Sequence, residues 1–316
     1  MREYVLRRML MVVPTALIAM VLVFGLIRLI PGDALVLMMG ENKLAEGQSM
    51  DALKEKYGFD KPLHIQFVDY VVGVTQGNLG ESFFTGRRVT EELKKRLPVT
   101  LELGIIAIVI GLLIAIPIGV ISATKQDSWA DHLLRGGAIM GVSIPSFWLA
   151  TLIIVLPAIW FLYSPPIFYV SMADDLGEHI QMMLPPAIVL GIGLAAAVMR
   201  MTRAMMLEVL RQDYVRTARA KGLRERFVIY RHALKNALIP VVTLIGLQVN
   251  MLIGGTAVVE SIYGLPGMGQ LFLQAATLRD YQVIQGINRV VVVWIILVNL
   301  TVDLSYAFLD PRIRYK

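Results

Sequence analysis

Four histidines, His64, His132, His179 and His232, are the only imidazoles in a chain of 316 residues. None stands in an H-E-x-x-H pattern that would set two of them on one helix face around a metal. The chain has no cysteine, which excludes disulfides, thiolate metal sites and cysteine nucleophiles. No Gly-Lys dipeptide occurs, so the phosphate-cradling P-loop is absent and this chain is no Walker-type ATPase. A G-x-S-x-G elbow is also missing, leaving no exposed nucleophilic serine of that kind. The reading is therefore of a chain with no catalytic, cofactor-binding or metal-ligating residues. What remains is the chemistry of polar groups in apolar surroundings. Gln248, Asn250, Asn299 and Asp303 sit in otherwise aliphatic runs, where a polar group either lines a pathway or hydrogen-bonds one helix to another. Asp303 is also the carboxylate a stand-alone, ion-coupled secondary transporter would use.

Those runs dominate the composition. Hydrophobic residues make up 56% of the chain and charged residues 17%, with a mean hydropathy of +0.65; this is the balance of a membrane protein. The net charge of +6 is read as a topology signal rather than a nucleic-acid surface. A spanning helix needs about 20 mostly apolar residues, and six such runs are found, near residues 9–30, 99–122, 135–160, 182–200, 237–259 and 288–308. Pro145, Pro157, Pro185 and Pro186 blur the ends of the third and fourth. The first run follows Arg2, Arg7 and Arg8 and is too long for the core of a signal peptide, which predicts an uncleaved span starting inside. Six spans place both termini in the cytoplasm. Residues 32–98 then form an extracytoplasmic insertion within a single transmembrane domain of 1–316, and its stretch "MDALKEKYGFDKPLHIQFVDYVVGV" reads as helical patches broken at Gly58 and Pro62.

The loop of residues 200–236 carries ten Lys or Arg residues, which keep it in the cytoplasm. Its grammar is that of two helices around a glycine. Asp213 is placed as the cap of a helix ending at Lys221, and Gly222 as the left-handed residue that stops it. A second short helix is predicted from Arg224 to about Leu238, with Pro240 opening the next span. On it Phe227, Tyr230 and Leu234 share one face and Arg224, Arg231 and Lys235 another. An aromatic face of this kind suits a groove on a partner or the membrane interface.

This segment resembles the cytoplasmic EAA loop of ABC-importer permeases, Glu-Ala-Ala, three residues, Gly, nine residues, Ile, one residue, Leu-Pro. Gly222 is then the glycine and Ala218 the second alanine, while Arg216 and Thr217 replace the Glu and first Ala. His232 takes the Ile position, and Leu234-Lys235 the Leu-Pro. "LIPGD", "YGFDKPLHIQF", "GNLGESF", "RLPVTLEL", "SIPSFW", "VVESIYGLPGMGQL" and the closing "DPR" follow in the order seen in the dipeptide/oligopeptide/nickel branch, B-type. The resemblance implies an all-α polytopic fold of the type I importer kind in a bacterial or archaeal cell (inner) membrane. It implies a second homologous permease, one or two cytoplasmic ABC ATPase subunits that bind ATP and Mg, and an extracytoplasmic solute-binding protein. The solute would be a di- or oligopeptide or a similar small molecule. On this resemblance the ATPase-coupling residues are Arg216, Ala218, Gly222, Arg224, Phe227, Tyr230, Arg231, His232, Leu234 and Asn236. The Gly264–Gly269 stretch "GLPGMG" is either a shaped turn near the translocation mouth or a plain reversal between spans.

Overall fold

The computed structural model of the chain describes residues 11, 14–25, 55, 58, 60–166 and 168–309. Residues 9, 10, 12, 13 and 26–30 of the first expected span, the "LIPGD" motif, Tyr57 and Phe59, the closing "DPR" and both termini lie outside the described residues. The chain divides into two units, Met1–Val99 with Gln270–Ile296, and Thr100–Gly269 with Leu297–Lys316.

In the first unit, the short apolar helix α1 (Pro14–Gly25) and α2 (Leu63–Thr75) meet through Phe24, Phe67 and Tyr70, whose rings lie 5.2–6.2 Å apart. After α2 the "GNLGESF" stretch turns back on itself. Gly80 has φ +84, a value that L side chains rarely adopt, and the Val89 amide donates to the Gly80 carbonyl at 3.0 Å. Buried Asp280 fixes this turn, taking the Ser82 hydroxyl at 2.5 Å and the Phe83 amide at 3.4 Å.

In the second unit the long helices form a bundle. They are α3 (Val89–Thr124, whose first residues belong to the first unit), α4 (Trp129–Ser143), α5 (Ser146–Phe161) and α6 (Leu176–Leu210). Then come α7 (Asp213–Ala220) and α8 (Glu225–Tyr263, with a π-helical turn at Val228–Leu234); of α9 (Met268–Leu278) and α10 (Tyr281–Leu309), the stretch Gln270–Ile296 belongs to the first unit. The bundle core is built from small residues, Ala115, Ala138, Ala195 and Ala196 with Leu194, Val198, Met199 and Val241. In lipid, where hydrophobicity gives no net drive, close backbone approach supplies the packing. α3 and α6 show it most clearly. A Cβ on Gly111 would stand 3.0 Å from the Gly191 carbonyl, and one on Gly119 3.0 Å from the Met199 carbonyl. The matched order of these contacts makes the two helices parallel.

Among the described residues, α3, α6, α8 and α10 are long and apolar enough to cross a membrane. They contain the second, fourth, fifth and sixth expected spans and extend beyond them. The third expected span is not one straight helix: α4 and α5 meet at 102°, and Pro145 heads α5 with no side-chain cap. Proline disfavours a helical residue before it, and Ile144 is extended, with φ −80 and ψ 121. Pro157, Pro185 and Pro186 lie inside helices. The extra turns of α6 grow from its cap, where the Glu178 amide donates to Asp175 at 2.9 Å.

A glycine-hinged elbow and three buried polar clusters

The α7–α8 elbow is the densest meeting place of the predicted site residues. Gly222 has φ +73 with open space around it, so glycine is needed there for its backbone, not for room. Behind it Val215, Ala218 and Val228 form a small apolar core with Val209 and Leu210 of α6. Asn236 Nδ2 donates to the Tyr214 hydroxyl at 2.8 Å and to the His232 carbonyl at 3.1 Å. Arg219 reaches over the turn to Glu225 at 2.7 Å, and the side chains of this pair are 41% and 55% exposed, so it adds little.

Three details differ from the sequence expectation. Gln212 is the cap residue of α7, and Asp213 is its first helical residue, accepting from Arg216 at 3.4 Å. No separate second helix ends at Leu238: the chain runs from Glu225 to Tyr263 without a break, and Pro240 lies inside, as membrane helices tolerate. The π turn also shifts the register. Phe227 and Tyr230 stay 44% and 51% exposed, whereas Leu234 packs against Val120, Ala123, Met206, Ala233 and Ala237. Tyr214 and Leu223, exposed as well, join Phe227 and Tyr230 to make the apolar surface of the elbow. Arg231 sits over the Phe227 ring at 5.4 Å, His232 meets it edge-on at 5.5 Å, and Arg216 and Arg224 are exposed.

The polar residues of the spans divide. Asn250 Nδ2 donates to Asn299 Oδ1 at 3.1 Å, joining α8 to α10; Gln248 and Asp303 are half-buried. Three buried clusters carry no local signature in the sequence, because their partners come from distant segments. Fully buried Asp131 receives two bonds from Arg203, at 2.8 and 2.6 Å, one from the Ser122 hydroxyl, and one from the Asp127 amide at 3.1 Å. Buried His179 places Nδ1 2.8 Å from the Val170 carbonyl and Nε2 2.6 Å from Glu102. Fully buried Glu260 accepts from Thr100 at 2.7 Å, and the same hydroxyl takes the Met268 amide at 2.8 Å. The "GLPGMG" stretch closes over this carboxylate, with Leu265 and Met268 buried and Gly267 leaving no room for a Cβ beside Glu260. It is a packed turn.

Residues 115–315 match the family described as binding-protein-dependent transport system inner membrane component, and residues 1–104 match the N-terminal family of the same systems. The dipeptide transport system permease protein DppB of Escherichia coli K12 is 40% identical over the full length of both chains. The glutathione transport system permease protein GsiC of Salmonella typhimurium is 39% identical, again over the full length of both. The fold is similar to a chain of the MetNI methionine ABC transporter in an inward-facing conformation, with TM-score 0.57 at 18% identity, covering 69% of this chain and 96% of that one.

Proposed function

This chain belongs to the binding-protein-dependent transport system inner membrane components, the permease subunits of ABC importers, and from that membership we propose that it conducts di- or oligopeptides, or a solute of that size such as glutathione. As an importer permease it is a multi-pass inner-membrane subunit and not itself an enzyme; ATP hydrolysis belongs to a separate ATPase, and a binding protein delivers solute. The proposal adds six spans with both termini cytoplasmic, and a second, related permease to complete the pathway.

The observation that carries the coupling part is the elbow. A docking surface must expose apolar and aromatic groups while its backbone stays rigid. Tyr214, Leu223, Phe227 and Tyr230 are exposed on a turn held by the Val215–Ala218–Val228 core. Arg216, Arg224 and Arg231 ring that surface and steer it toward acidic groups of the ATPase. Ala218, His232, Leu234 and Asn236 face inward or bridge, and keep its shape. Because α8 is continuous from Glu225 to Tyr263, a push on the elbow reaches the span as a rigid-body displacement, with no loop to absorb it. The polar pair Asn250–Asn299 fits a role in holding α8 to α10, and Gln248 and Asp303 remain candidates for a polar pathway.

The test is reconstitution of this chain with its second permease, ATPase and loaded binding protein in liposomes containing ATP. Uptake of a labelled dipeptide that requires all components is the expected result. Uptake by this chain alone, driven by an ion gradient, overturns the proposal.

A further inference from the structure

We infer that Glu102 and His179 form a binding site for a single proton, which holds the leading end of α6 and the connector before it against α3. The count of donors and acceptors at the ring requires it. The Val170 carbonyl can only accept, so Nδ1 of His179 must carry a hydrogen to make the 2.8 Å contact. Nε2, 2.6 Å from Glu102 Oε1, then needs a second hydrogen on one partner or the other. Either the ring is an imidazolium facing a carboxylate, or a neutral ring accepts from a protonated Glu102. Both states hold the same number of protons. Remove one, and the neutral imidazole has a single N–H for two acceptors. It must abandon either Val170 or Glu102 and face an oxygen lone pair with its own.

The surroundings supply no substitute. His179 is 1% exposed, so water does not replace a lost partner there. From the connector Tyr169 meets the ring edge-on at 6.2 Å, and from α3 the facing ionisable group is Glu102. Asp174, Asp175 and Glu178 near the start of α6 are exposed, and Asp175 is engaged in capping. No Lys or Arg lies in the connector or the first turn of α6, so those segments offer no fixed cation to Glu102, whose side chain is 25% exposed, and nothing there replaces the lost hydrogen at the buried ring. The sign follows: the latch is closed when the proton is bound and opens as pH rises.

For its transport readout the inference rests on the importer reading, so the experiment carries a second readout that does not. The complete complex is purified, and its thermal unfolding and its peptide uptake are followed between about pH 5 and about pH 8, the range in which histidine titrates. Glu102→Gln keeps the shape and lets an amide N–H donate to the neutral ring. His179→Gln removes the titrating ring, should the first variant fail to accumulate. In the wild type, unfolding temperature and uptake decline together as pH rises, uptake by about tenfold per pH unit beyond the midpoint if only the latched form transports. Either variant flattens both profiles. Profiles in a variant that overlay those of the wild type overturn the proton site. A wild-type complex whose unfolding shifts with pH as described, yet imports no peptide at any pH, overturns the importer reading and leaves the proton site standing.

Discussion

The parallel helices α3 and α6 are tied by polar clusters near both ends, and the two clusters differ in kind. Near the close of α3, Ser122 and fully buried Asp131 meet Arg203 of α6, and the bonds come from a fixed charge, a hydroxyl and the Asp127 amide. Near the other end, Glu102 meets His179 at 2.6 Å through a contact that needs an extra proton. Between them small residues let the backbones touch at Gly111–Gly191 and Gly119–Met199. One end is welded and the other conditional. Of the two ends, the conditional one is where a rise in pH loosens the bundle. The welded end also adjoins the elbow. α6 leads through Val209 and Leu210 into the core that supports Gly222, so force received there enters a part of the bundle that does not give.

This contrast is broken most severely at the welded end. Arg203→Ala leaves Asp131 buried and unpaired, a loss of about 3 to 5 kcal/mol; the expected outcome is failure to accumulate in membranes, read by immunoblot. The double change Asp131→Leu with Arg203→Met should recover most of that loss, since an apolar pair replaces an ion pair at little cost. Next comes the seam. A Cβ on Gly111 would lie 2.6 Å from Leu194 Cδ2, and Gly111→Val should wedge the helices apart at about 1 to 3 kcal/mol, lowering the unfolding temperature of the purified complex. Gly222→Val is third: a left-handed residue with a branched side chain costs about 1 to 2 kcal/mol. Nothing crowds that position, so insertion should be retained while uptake is lost. The smallest effect belongs to the exposed Arg219–Glu225 pair, where Arg219→Ala should cost under about 1 kcal/mol and leave uptake near normal.

How much of this was legible in the sequence depends on the distance over which each feature is written. Hydropathy runs mark the spans, because twenty residues in lipid must be apolar as a block. The left-handed stop at Gly222 is equally local, a glycine after a helix with basic residues at its close. Proline was an unreliable mark. Pro145 breaks the third expected span in two, yet Pro185, Pro186 and Pro240 lie inside helices, since neighbouring helices in a membrane repair the lost bond. The π turn at Val228–Leu234 has no sequence signal here, and Leu234, at its end, packs inward away from the aromatic face. Asp131 with Arg203, Glu102 with His179 and Thr100 with Glu260 were unreadable for another reason. Their members are 72, 77 and 160 residues apart, and only the packing of α4 and α3 against α6, and of α3 against α8, brings them together.

The central claim is that the elbow meets the ATPase, and the absence of cysteine from this chain makes it directly testable. Single cysteines are placed at Phe227, at Tyr230 and, as a comparison, at Leu162, which is 93% exposed at the end of α5. The assembled complex is then treated with a short thiol-to-amine cross-linker. The account predicts ATPase adducts from Phe227→Cys and Tyr230→Cys, their yield changing when ATP is trapped, and none from Leu162→Cys. Adducts from Leu162→Cys alone, with the elbow positions reacting only with water or lipid, would contradict it.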